Sequence, residues 1–168
     1  MRIYLLSFLF IIFFSACSTK NISYIKIENK TNSLYKTVTS TSKRIDKEEA
    51  KNFSKDIILY SKFLAHSYGV TTYALFHNTL INLGIKDKGL CYHYANDLLS
   101  FLKRKKYKSF EFKRIIANRN EYFEHSALIL TRKDISFENS IVLDAWRNTG
   151  NLYFSKVKND KNYEWELK

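Results

Sequence analysis

Apolar residues recur at helical spacing along the first half of the chain and at strand spacing along the second. Ala50, Phe53, Ile57, Leu64 and Tyr68, with Tyr60 or Ser61 filling the gap, make one face of a long amphipathic helix that ends near Gly69. Asp46-Lys47-Glu48-Glu49 marks its start, because a Glu three residues after an Asp cap has the spacing of a capping box. A second helix is predicted from Thr72 to Leu83, closed by Gly84. A third opens at Cys91, with Ala95, Leu98, Leu99 and Leu102 on its apolar face. It ends in Lys103-Arg104-Lys105-Lys106, where the helix dipole favours cations. After Tyr107 the period changes to two. Phe110–Ile116, Ser126–Thr131, Ser140–Ala145 and Leu152–Val157 read as strands, the last following the turn Asn148-Thr149-Gly150-Asn151. Helices first and strands afterwards imply an α+β fold, with N-terminal helices packed on an antiparallel sheet. The stretch from Lys158 to Lys168 is charged but carries Tyr163 and Trp165, so it is expected to pack across the domain.

The N-terminus has a different pattern. Arg2 precedes an apolar run from Ile3 to Phe14, followed by Ser15-Ala16-Cys17. A basic residue, a short apolar stretch and a small-residue site make a secretory signal. Ser-Ala-Cys also resembles a bacterial lipobox, with Phe14 where Leu is usual, which implies that Cys17 is lipidated and begins the mature chain. A plain membrane anchor and ordinary signal cleavage are the alternatives. From Ser18 to Arg44 the chain is rich in Ser, Thr, Asn and Lys, the composition of a linker, with a short strand expected at Tyr24–Ile27. The expected organisation is a signal peptide at 1–16, a flexible tether at 17–44 and one folded domain at 45–168. The protein would be exported and held by lipid on Cys17 at the periplasmic face of the outer or inner membrane of a bacterial envelope.

With 168 residues, 45% of them hydrophobic, the chain can bury a single core. Its formal charge of +12 attracts anionic partners, whether nucleic acid, acidic head groups or envelope polymers, unless it serves only as a solvated basic surface. The run at 103–106 lacks the interleaved aromatics and glycines of a nucleic-acid module, so nucleic acid is not expected as a partner. Anionic envelope polymers remain open. The two cysteines are Cys17 and Cys91, and a lipidated Cys17 leaves Cys91 without an intramolecular partner. In an oxidising compartment an idle thiol is a liability, which favours a working cysteine over a buried inert one.

The chemistry centres on Cys91. Gly89 lets the backbone turn tightly into the helix. A thiol on the first turn then meets the positive end of the dipole and unpaired N–H groups, which favour the thiolate and can receive an oxyanion. Such a nucleophile needs a base, and the base needs an orienter. His125 stands in a strand where Glu124 and Ser126 point to the opposite face, so its orienter must come from another strand. Asp144, an acid in an apolar strand, fits that need, since a buried carboxylate is costly unless paired. Trp146, two residues on, shares its face and either shields the pair or is simply core. Asn78 and Asn82 of the second helix either serve as oxyanion donors or only cap or solvate it. His66 and His77 read as ordinary helix residues, and His93 lies roughly 200° around the helix from Cys91. Cys91, His93, His125 and Asp144 do not converge as a zinc set, so no metal or other cofactor is expected.

The pattern Gly-x-Cys-x-x-x-Ala-x-x-Leu, then His-x-Ala, then Leu-Asp-x-x resembles the core of the transglutaminase-like branch of the papain-like cysteine enzymes, over about the second half of the chain. The resemblance implies Cys91 as nucleophile, His125 as base and acid, and Asp144 as orienter. It also implies acyl transfer at a peptide or peptidoglycan amide through an acyl-enzyme, which water resolves in a peptidase or amidase and an amine resolves in crosslinking. Two other readings stay open. One is a catalytically inactive binding or assembly module on the same fold. The other is a basic surface protein that holds anionic envelope polymers and is indifferent to Cys91→Ala.

Overall fold

A computed structural model describes residues 24–168. The signal peptide expected at 1–16 and the expected lipidation site Cys17 lie outside the described residues. Within them the chain is α+β. Helix α1 covers residues 24–39, and α2 (Lys47–Ser67), α3 (Ala74–Asn82) and α4 (Cys91–Lys105) follow it. Strands β1 (Glu111–Ala117), β2 (His125–Thr131), β3 (Ile141–Asp144), β4 (Tyr153–Lys156) and β5 (Glu166–Leu167) form one antiparallel sheet in the order β4-β3-β2-β1-β5. Among the described residues no helix is long and apolar enough to cross a membrane.

The tether expected at 17–44 is corrected over its described part, and no strand forms at Tyr24–Ile27. Ile27, Thr31, Leu34 and Val38 recur at i, i+4, i+7 and i+11, and Leu34 and Val38 are fully buried in the core. Thr31, Thr37 and Thr39 each return their hydroxyl to the carbonyl four residues earlier, at 2.9 Å. The polar residues that suggest a linker are thus satisfied inside the helix.

At the start of α2, Asp46 accepts from the Glu49 N–H at 2.8 Å, as a cap should. The Glu49 carboxylate does not complete a capping box. It accepts from the N–H groups of Lys108, at 2.9 Å, and Ser109, at 2.8 Å, and so ties α2 to the turn before β1. Ser61 rather than Tyr60 fills the gap in the buried stripe, its hydroxyl donating to Ile57 O at 2.7 Å. Tyr60 instead stacks on Phe101 of α4, with ring centroids 3.9 Å apart.

The sheet is covered on both faces. Leu128, Leu130, Ile141 and Leu143 face the helices, packing with Phe53 and Ile57 of α2 and Leu98 and Leu102 of α4. Ala127, Ile129 and Val142 face the other way, under a lid made by Tyr163 and Trp165 of the C-terminal segment. That is why β2 is buried at every position, with an unbroken apolar run from Ala127 to Leu130. The segment ends in β5, which pairs with β1 at Ile115↔Leu167 and was too short to leave a period in the sequence.

Candidate active site

Cys91 is the first residue of α4, and the turn before it is held from several directions. Gly89 has φ +130°, and a Cβ there would collide with the His77 ring. His77 is therefore more than an ordinary helix residue: it is buried, and its Nε2 donates to Lys88 O at 2.9 Å. His93 accepts at Nδ1 from the N–H groups of Gly89 and Leu90, both at 3.2 Å. Burial and the nearby Lys88 charge lower its pKa, which suits a neutral acceptor. With His93 so engaged, the N–H groups of Cys91 and Tyr92 have no hydrogen-bond partner among the described residues. They are the free donors of a helix N-terminus beside a thiol.

His125 opens β2 and Asp144 ends β3. Leu128 pairs with Leu143, and continuing that register by one sets Asp144 across from Ala127, so Asp144 shares the face of His125, while Trp146 lies beyond the end of β3. His125 Nε2 donates to Asp144 Oδ2 at 2.7 Å, with both side chains almost wholly buried. Cys91 stands close enough for its charge to act on the imidazole, and its sulfur lies 3.9 Å from Glu124 O. The structure thus brings Cys91, His125 and Asp144 together at one end of the sheet. The thiol comes from the helix layer and the imidazole from the opposite face.

Charge follows from these contacts. Burial lowers the proton affinity of His125, but the hydrogen bond to Asp144 and its negative charge, together with the nearby Cys91, outweigh it, so its pKa is pushed up to about 9. Burial would raise the Asp144 carboxyl. Its hydrogen bond to His125, the charge on that ring and the contacts to Arg147 hold it below the ordinary carboxylate range instead.

Trp146 both shields and fills core. Its ring centroid is 4.8 Å from that of His125, and it belongs to the helix-side apolar cluster. Its Nε1 can only donate and reaches Asn78 Oδ1 at 3.1 Å, which fixes the amide and leaves Asn78 Nδ2 as a donor. Asn78, exposed Asn82 and Cys91 line one cleft of about 510 Å³, bordered by Leu75, Tyr92, Tyr122 and Phe123. No group of three or more metal-ligating side chains is gathered among the described residues.

Four residues of this site escape the sequence reading. Tyr163 and Trp165 pack on His125 with centroids at 4.6 and 5.4 Å. Arg147 Nε donates to Asp144 Oδ2 at 3.0 Å. Its two terminal nitrogens donate to Asp160, at 3.1 Å to Oδ1 and 2.7 Å to Oδ2. Arg147 three residues after an acid, and an aromatic pair spaced by two, are the signals that could have pointed there. No protein-family model, curated protein or solved structure matches this chain, so the transglutaminase-like resemblance rests on its own residues.

Proposed function

We propose that the protein is a thiol acyl-transfer enzyme of the transglutaminase-like, papain-like type, acting on peptide or peptidoglycan amides from a lipid tether on the bacterial envelope. One observation carries the reading. The His125 ring donates to a charged carboxylate and lies beside a thiol that opens a helix N-terminus and lines an open cleft. In the reaction Cys91 Sγ attacks the amide carbonyl, and the C–N bond breaks once His125 delivers its proton to the leaving amine. The acyl group then rests on sulfur. Water or an amine, deprotonated by His125, displaces it and restores the thiol. The oxyanion of each addition faces the Cys91 and Tyr92 N–H groups and the Asn78 amide. Export and the lipid on Cys17 belong to the proposal through the N-terminal Arg2–Cys17 pattern.

The test is alkylation of Cys91 by iodoacetamide across pH in the full chain, followed by incubation with peptidoglycan and peptide libraries. Native protein should alkylate readily at neutral pH and release or exchange amide-linked products. Cys91→Ala should abolish both, and His125→Ala should slow turnover by about a hundredfold or more. A thiol that reacts no differently without His125, with no product from any amide, would leave the binding-module reading in its place.

A further inference from the structure

Like Asp160, Asp144 accepts four hydrogen bonds. Its Oδ1 accepts from the N–H groups of Trp146, at 3.0 Å, and Arg147, at 3.1 Å. Its Oδ2 accepts from His125 and from Arg147 Nε. The guanidinium is fixed in turn. It bridges to Asp160 by its fork and lies between two rings, its carbon 3.8 Å from the Tyr153 centroid and 4.8 Å from that of Tyr163. Asp160 also accepts from Trp165 Nε1 at 2.9 Å. An arginine shared by two buried carboxylates does more than pack.

We propose that Arg147 is a positioning residue of this site: it divides its positive charge between Asp144 and Asp160, so that the C-terminal segment sets how tightly the imidazole holds its proton. The proposal rests on reading His125 as the base. The groups facing His125 are Cys91 from α4, Asp144 from β3, and Trp146, Tyr163 and Trp165, with Arg147 and Asp160 behind Asp144. Removing the positive charge of Arg147 strengthens the field of Asp144 on the imidazole. Removing the negative charge of Asp160 leaves Arg147 free to neutralise Asp144 and weakens that field. The two substitutions therefore push the His125 titration in opposite directions. A residue that only supports packing cannot do that.

The experiment is an NMR titration of the His125 ring nitrogens in the full chain, held in detergent. Arg147→Gln should raise the His125 midpoint by about one pH unit, and Asp160→Asn should lower it by roughly half a unit. Arg147→Lys restores the charge and should return the midpoint toward the native value, although the fork to Asp160 is lost. Should Arg147→Gln fail to fold, Asp160→Asn and Arg147→Lys still test the proposal by the sign and the recovery. Midpoints that stay put, or move the same way in Arg147→Gln and Asp160→Asn, overturn it. The titration needs no turnover, so a failed acyl-transfer reading would show separately, as an inert thiol in the native chain.

Discussion

His125 carries a pH dependence whose sign is fixed by its contacts. Its ordinary value is near 6.5 and its folded value is about 9, so the stability it contributes is fully present below about pH 6.5 and is lost as pH rises through about 9. The full swing is about 3 kcal/mol. Asp144 acts in the opposite sense. Its contribution is present above the ordinary carboxylate value and is lost as pH falls through its lower folded value. Urea unfolding of the native chain and of Asp144→Asn, at pH 6 and at pH 10, separates the pair from the lysines and tyrosines that titrate in both. The stability advantage of the native chain should be large at pH 6 and shrink by a few kcal/mol at pH 10. An equal advantage at both values would mean that the imidazole is not held charged by Asp144.

Among the elements, α1 decides where the folded unit begins. Leu34 is fully buried against the helix-side core, so Leu34→Ala should cost about 2–5 kcal/mol in urea unfolding. A residue in a solvated linker would cost almost nothing. The periodicities of α2, α4 and β1 to β4 were legible because their apolar stripes are long and clearly phased. That of α1 was not, because Thr31 occupies one stripe position and Ser, Thr and Lys dominate the rest. A helix interior that satisfies its own hydroxyls looks like a linker in composition. The order Cys91, His125, Asp144 was also legible, since each stands out of an apolar context on a recognisable element. Arg147 and Asp160 were not, because they stand 13 positions apart across turn and short strand and no period links two loop positions.

The whole molecule has an asymmetric construction. One face of the sheet is covered by helices and the other by a short segment that contributes both an apolar lid and a charge. Trp165→Ala should therefore cost about 3–5 kcal/mol in urea unfolding. It should also speed hydrogen exchange at the amides of β2, whose outer face it uncovers. Stability and exchange together distinguish the lid from a loosely attached tail, for which neither would change.

The meeting of the two layers also sets a schedule. A ribosome delivers Cys91 first, then His125 and Asp144, and only afterwards Asp160 and Trp165. Until that last segment docks, Arg147 lacks its anchor and His125 lacks its cover. A nascent or half-threaded chain therefore carries its thiol without a finished partner. On the acyl-transfer function proposed above, reactivity would come only with completion of the fold.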